Sequence, residues 1–247
     1  MEHAEYLKLA EVEDTMWYFR ALHGHVASHI RRYHPRANGT LLDAGCGTAG
    51  WLRRAAGWFG KLQPVGIDLS PVACELARSR NTPRVVCASA TVVPFSDRSM
   101  AVVTSLDVLQ NIPDHRRAAS ELCRVLEPGG LAVINVPAYS WLWSYHDEAT
   151  GAVRRYSRTE ITRLLGAAGF DVLESTYWNL LPLPAVVAKR KVLSRFGADD
   201  DVKVYPPWAD RLLGAGAVLE RSWFRSVSRL PAGSSILTVA RKPGSAS

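Results

Sequence analysis

Three glycines and two aspartates stand at spacings that can do chemistry. The stretch Asp43-Ala44-Gly45-Cys46-Gly47-Thr48-Ala49-Gly50 places Gly45, Gly47 and Gly50 in a G-x-G-x-x-G pattern. Glycines so spaced permit a tight turn, close approach of backbone to a bound molecule, and tight packing of a following helix. Eighteen residues after Gly50 comes Asp68, whose carboxylate can accept hydrogen bonds from both hydroxyls of a ribose. Taken singly, the glycine turn reads as plain tight packing and Asp68, ahead of Ser70-Pro71, as a helix cap. Together, at this distance, they describe a nucleotide-type site.

Two ligands satisfy that pattern, a nicotinamide dinucleotide and S-adenosyl-L-methionine. A dinucleotide lays a pyrophosphate over the loop and the helix N-terminus, where an anion is welcome. Asp43, two residues before the first glycine, would repel it. S-adenosylmethionine carries an ammonium and a sulfonium, for which a carboxylate is a favourable neighbour. The charge at Asp43 selects the cationic ligand.

Such a site needs strands to deliver it. Thr40 to Ala44, Pro64 to Asp68, Arg84 to Cys87, Met100 to Leu106 and Leu131 to Val136 read as strands. Between them, Trp51 to Phe59, Val72 to Ser79 and His115 to Leu126 read as helices. Alternation at this pace predicts a mostly parallel, doubly wound α/β sheet, whose ligands sit beyond the carboxyl ends of the strands. Ahead of it, Trp17, Tyr18, Leu22, Val26 and Ile30 fall near helical spacing and predict one or two covering helices over residues 1–37. Pro137 to Tyr156 has no clear period and predicts a loop region. Ser157 and Glu160 form a capping box that starts a helix ending near Gly169. Phe170 to Tyr177 reads as a strand, Leu180 to Phe196 and Trp208 to Phe224 as helices, and Ser235 to Arg241 as the last strand. The expected organisation is therefore 1–37 covering helices, 38–138 ligand-binding core, and 139–247 substrate-side loop, late helices and closing strands.

Three motifs in order, Leu41-Leu42-Asp43-Ala44-Gly45-Cys46-Gly47-Thr48, Val65-Gly66-Ile67-Asp68-Leu69-Ser70 and Leu126-Glu127-Pro128-Gly129-Gly130, resemble those of the class I S-adenosylmethionine-dependent methyltransferases. The resemblance covers roughly residues 38 to 138. It implies a three-layer, Rossmann-like fold with a seven-stranded sheet whose last strand is antiparallel. It also implies that Asp43, Gly45, Cys46 and Gly47 lie near the amino acid part of the cofactor and that Asp68, with Leu69, holds its ribose. After the third strand, members commonly carry an Asp toward the adenine, where this chain has Ala88-Ser89-Ala90 and only the Ser89 hydroxyl to offer. After the fourth strand the resemblance places Ser105, Leu106 and Asp107 beside the cofactor. Cys46 reads as a small loop residue without a redox role.

Methyl transfer from a sulfonium is an in-line displacement, so the protein chiefly positions and desolvates the reactants. A hydroxyl acceptor gains from a general base. His146 beside Asp147 is the candidate, which tilts the expectation toward O-methylation of a small molecule over N- or C-methylation; a lid-anchoring role for the pair weighs equally. Trp17, Tyr18, Trp143 and Tyr145 are candidates for the acceptor's walls, with core packing the commoner fate of the first two. Arg154 and Arg155 suit an anionic group on the acceptor, or a solvated basic rim. His23, His25 and His29 lack an accompanying acidic or cysteine cluster and read as helix-surface or pocket-rim residues, so no metal is expected. A catalytically silent cofactor-binding module is the rival of a different class.

The chain has 247 residues, 47% apolar and 21% charged, with a net charge of +7, a composition of folded domains. The first 149 residues hold fifteen basic and fifteen acidic side chains, so the whole excess lies in the remainder. That location argues against nucleic acid as the partner. The strand-four exit also lacks the Asn/Asp-Pro-Pro-aromatic signature of amino-group base methyltransferases. Peripheral contact with an anionic membrane through Lys189-Arg190-Lys191 is the weaker alternative to a solvated face. Cys46, Cys74, Cys87 and Cys123 form no CxxC pair, Met1 to Ala10 lacks an apolar signal-peptide core, and no apolar run reaches the roughly 20 residues of a membrane span. A cytoplasmic setting is expected.

Overall fold

Parallel strands buried on both faces need continuous apolar runs, and the chain supplies them. The computed structural model describes residues 3–82, 84–191, 205–224 and 230–244. Its strands are β1 (Gly39–Ala44), β2 (Leu62–Asp68), β3 (Val85–Cys87), β4 (Met100–Leu106), β5 (Leu126–Pro137), β6 (Asp171–Trp178) and β7 (Ser235–Arg241). They form one sheet in the order β3-β2-β1-β4-β5-β7-β6. β7 runs antiparallel to both β5 and β6, and the remaining pairs are parallel. This is the seven-stranded Rossmann-like sheet the motifs implied.

Two helices, α1 (His3–Val12) and α2 (Trp17–Tyr33), precede the sheet, and α3 (Gly50–Trp58), α4 (Pro71–Ser79) and α5 (His115–Val125) connect its parallel strands. The short α6 (Tyr145–Ala149) and α7 (Arg158–Ala167) lie between β5 and β6; α8 (Leu183–Lys191) and α9 (Pro207–Phe224) lie between β6 and β7. Successive strand residues face opposite layers. Val103 and Ile134 pack with Leu122 and Leu165 of α5 and α7. Val102 and Val133 pack with Ile30 and Leu52 of α2 and α3. Connections from β1 and β4 leave toward opposite faces, which opens the crevice at the carboxyl ends of these neighbouring strands.

Several expectations need correction. The fifth strand, expected over Leu131 to Val136, starts earlier and takes in Pro128-Gly129-Gly130: β5 begins at Leu126, which pairs with Met100 before the register shifts. Gly129, at φ +81°, donates its N–H to the Lys242 carbonyl. The aperiodic segment after Pro137 contains a 3-10 turn at Ser140–Leu142 and α6, which opens on a Ser144/Asp147 capping box. His23, His25 and His29 are not on a helix surface or rim. They are 4%, 1% and 6% exposed, and α2 turns them onto the sheet and α3. There His23 meets the Trp51 ring and His25 the Trp178 ring, while His29 sits 3.9 Å from the Glu174 carboxylate. Burial pulls the His23 imidazole down to about 3, so it packs as a neutral ring. The predicted Ser157–Glu160 capping box starts α7 as expected. The predicted helix from Leu180 to Phe196 begins at Leu183; its part beyond Lys191, most of the acidic Asp199 to Pro207 segment and the tip of the C-terminal tail lie outside the described residues, as do the side chains of Lys189, Arg190 and Lys191.

Candidate functional site

The glycine loop joins β1 to α3, and its geometry explains its composition. Gly45 stands at φ +87°, and a Cβ built there would meet Val108 Cγ2 at 2.3 Å, so only glycine lets β1 and the strand-four exit close on one another. The N–H groups of the loop's three glycines and of Cys46 are already engaged. Gly45 and Cys46 N–H donate to the Ile67 carbonyl at 2.8 and 2.9 Å. Gly47 N–H donates to Asp68 at 2.9 Å, and Gly50 N–H, at the start of α3, donates to Glu13 at 3.1 Å. A pyrophosphate would find these amides satisfied, two of them by carboxylates.

Three buried carboxylates therefore ring the loop: Glu13, Asp43 and Asp68 are 5%, 3% and 7% exposed. Glu13 is neutralised by Arg53 at 3.2 Å and by Arg80. Asp43 accepts from the Thr104 hydroxyl at 2.7 Å, and Thr104 accepts in turn from the Trp51 indole at 3.0 Å. Burial pushes the Asp43 carboxyl up to about 7; the Thr104 hydrogen bond opposes this, and the negative charges of Asp68 and Glu13 add to it. Asp68 is also held above the usual carboxylate range by burial, against the pull of the Ser70 and Gly47 N–H groups. The pocket is short of positive charge beside Asp43. The Cys46 thiol is driven up by burial and by Asp43 and Asp68, so it is a neutral loop side chain.

α1 lies across this loop. The Tyr6 hydroxyl reaches Asp68 Oδ1 at 3.5 Å, and a Cβ on Gly47 would stand 3.2 Å from Leu9. Of the other residues expected near the cofactor, Leu69 is 72% exposed at the carboxyl end of β2, and Ala90 is buried. The Ser89 hydroxyl shares a 2.8 Å hydrogen bond with Thr91. Ser105 is buried at the end of β4 with no hydrogen-bond partner for its hydroxyl among the described residues, and Leu106 is half-buried beside it.

At the strand-four exit the backbone turns through Asp107, at φ +57°. Its carboxylate accepts from the Tyr18 hydroxyl at 2.9 Å and the Asn135 amide at 2.8 Å. Asn135 on β5 accepts from the Trp178 indole at 2.7 Å, and the Tyr18 ring stacks on Trp178 with centroids 5.2 Å apart. One network thus joins α2, β4, β5 and the end of β6. Burial raises the Asp107 carboxyl to about 6, opposed by the Tyr18 and Asn135 hydrogen bonds and by the charges of His146 and Arg155. On the other face of the sheet, Tyr139 stacks on Tyr177 at 5.1 Å and on Trp141 at 5.5 Å.

The structure sorts the expected acceptor residues. Tyr18 stands at this network, and half-buried His146 lies within electrostatic reach of Asp107. Trp17 turns away from it and packs with Val12 and Met16. The Trp143 indole donates to Glu148 at 3.3 Å and Tyr145 is 53% exposed. Asp147 is not aimed at His146: it forms a buried pair with Arg155 at 2.8 Å and accepts from Ser144. Arg154 donates to the carbonyls of Leu109, Ile112 and Pro113. Both guanidinium groups thus brace the chain's own loops, so the expected anion fork loses its basis. Asn135, Trp178, Glu13 and Tyr6 were not anticipated. A lone Asn inside the apolar run of β5 was the one visible signal among them, since a buried amide demands partners.

Residues 17–175 match the family model of the methyltransferase domain. The chain belongs to that family. This methyltransferase-domain chain is 36% identical over 111 residues to a demethylmenaquinone methyltransferase of Staphylococcus haemolyticus, covering 42% of the chain and 46% of that protein. It is 30% identical over 164 residues to 24-methylenesterol C-methyltransferase 2 of Oryza sativa subsp. japonica, covering 58% of the chain and 44% of that protein. It spans less than half the length of these relatives. Its fold is also that of geranyl diphosphate C-methyltransferase from Streptomyces coelicolor A3(2), solved with Mg2+, geranyl diphosphate and S-adenosyl-L-homocysteine. There the TM-score is 0.61 at 18% identity, over 91% of this chain and 80% of that one. Among the described residues no group of three His, Cys, Asp or Glu could hold a metal ion, and no helix is long and apolar enough to cross a membrane.

Proposed function

We propose that the chain methylates a small, mainly apolar acceptor with S-adenosyl-L-methionine, and that Asp107 takes the proton the acceptor loses. The observation that carries the cofactor reading is the uncompensated Asp43 carboxylate beside a loop whose glycine amides are already bonded. That donor set suits a cationic amino acid moiety and rejects a pyrophosphate. The cofactor supplies a methyl group on a sulfonium, an electrophile with a good leaving group. Asp43 holds the ammonium end with Gly45, Cys46 and Gly47, and Asp68 with Leu69 receives the ribose. Ser89, Ala90, Ser105 and Leu106 line the remainder.

Asp107 suits proton removal because two donors fix its orientation while burial keeps it basic, near 6. The Tyr18 ring, backed by the buried Trp178 indole, gives flat apolar surface next to it. Removing a hydroxyl proton prepares either that oxygen or a conjugated ring carbon for methylation. The tilt toward oxygen drawn from His146 has no support in the comparisons; the relatives named for demethylmenaquinone and for sterol C-methylation favour carbon and an apolar acceptor. The test is transfer of a labelled methyl group from S-adenosylmethionine to a panel of hydroxylated quinols, phenols, sterols and prenyl compounds, with Asp107→Asn and His146→Gln alongside. Turnover should fall about 100-fold or more in Asp107→Asn and less in His146→Gln. Full turnover in Asp107→Asn removes Asp107 from the mechanism, and transfer only to polar amines overturns the acceptor class.

A further inference from the structure

A surface helix ordinarily turns its apolar side inward and its charges to water, and α9 does the reverse. Its two carboxylates point into the protein. Asp210 accepts from the Trp17 N–H at 2.7 Å and from Arg20 at 2.5 Å, capping the N-terminus of α2, which has no side-chain cap of its own. Glu220 accepts from the Asn179 N–H, from the Leu180 N–H at 2.9 Å and from the Leu181 N–H at 3.4 Å. The outward side carries Trp208, Leu212, Val218 and Leu219, which are 71%, 67%, 51% and 67% exposed, with Arg211 the only charge among its described exposed residues. An apolar face of this kind marks a partner surface.

We propose that this face of α9 docks on an anionic phospholipid surface. Among its described residues the one exposed charge is a cation, and both α9 carboxylates point inward, matching an interface of acyl chains beneath negative headgroups. The whole excess of positive charge in the chain lies beyond residue 149, in the stretch of sequence that contributes this helix. Beside the face, a groove of about 420 Å³ between α2 and α9 is lined by Trp17, Arg20 and Arg211. Trp17 is 6% exposed, and its indole N–H has no acceptor among the described residues. The exposed Arg211 guanidinium on this groove would pair with a headgroup phosphate. The helix lies on the surface rather than across it, since no described helix is long and apolar enough to span. The inference stands on α9 and its groove, independently of the acceptor.

The test is flotation of the full chain with vesicles of phosphatidylcholine alone and of phosphatidylcholine mixed with phosphatidylglycerol. The wild type should float with the mixed vesicles, less so at high salt. Leu212→Glu/Leu219→Glu should float about tenfold less or worse, with its thermal melting unchanged as proof of folding. Arg211→Glu, a surface change, should lose the preference for phosphatidylglycerol even if the double variant melts early. Wild type that stays below both vesicle types overturns the proposal, as does an Arg211→Glu variant that floats like wild type. A dimer in light scattering that the double variant dissociates, without vesicle binding by the wild type, assigns the face to a second copy instead and also overturns it.

Discussion

Replacing Asp43 by asparagine should stabilise the empty protein while weakening its hold on the cofactor. Burial raises the Asp43 carboxyl from 3.8 to about 7. A carboxyl raised in the folded state binds more protons folded than unfolded, so stability falls as pH rises from about 4 to about 7, and the loss is complete above that window. Three units at about 1.4 kcal/mol each set an upper bound of about 4 kcal/mol. Relaxation around the ionised side chain lowers the figure, and about 2 kcal/mol is a working value. The amide oxygen of the introduced asparagine still accepts from Thr104, and the cost of burying its NH2 group is part of why the working value lies below the bound. For a chain of 247 residues, that gain corresponds to a rise of about 4–8 °C in Tm. Thermal melts without ligand at about pH 8.5 and about pH 5 read it directly: the gain should appear at the higher pH and nearly vanish at the lower, where wild-type Asp43 is already protonated when folded. The same variant should bind S-adenosylhomocysteine about 10- to 100-fold more weakly, having lost a charged partner for the ammonium. Asp43→Asn melting at or below wild type at about pH 8.5, or gaining equally at both values, would refute the reasoning.

Further outcomes follow from the same geometry. In wild type, the methyl-transfer rate should rise as pH passes about 6, where the Asp107 carboxyl ionises; Asp107→Asn should lose that limb while binding S-adenosylhomocysteine normally by calorimetry. Tyr18→Phe removes a donor that lowers the Asp107 carboxyl, so the limb should move to higher pH in the rate profile. Asp147→Ala leaves the Arg155 guanidinium, whose side chain is 3% exposed, without its carboxylate. It should cost about 3–5 kcal/mol in denaturant unfolding, and adding Arg155→Met should recover much of that. Gly45→Ala drives a Cβ to 2.3 Å from Val108 at φ +87°, and should lower both melting temperature and cofactor affinity, since the strand-four exit must move away from the loop.

The proposed cofactor half of the site was legible because it is local. Asp43, Gly45, Gly47 and Asp68 lie on two consecutive strand ends, and a parallel sheet brings such ends together wherever the alternation of strands and helices is read correctly. The acceptor half was not, because it is assembled from distant parts. Tyr18, Asp107, Asn135 and Trp178 come from α2, β4, β5 and β6, and no spacing in the chain records that they meet. His146-Asp147 shows how adjacency misleads: α6 separates the two side chains, and the carboxylate turns to Arg155 and the helix cap. The three histidines of α2 misled in the opposite way: lacking an acidic or cysteine cluster they read as surface or rim residues, whereas His23 and His25 pack on the Trp51 and Trp178 rings and His29 faces Glu174.

Calorimetric titration of the chain with S-adenosyl-L-methionine, S-adenosyl-L-homocysteine and NADH tests the central claim most directly. One site should bind both sulfur nucleosides, with release of protons near neutral pH as the ammonium draws Asp43 into its ionised form. Absence of binding by both, or tighter binding of NADH, would contradict it.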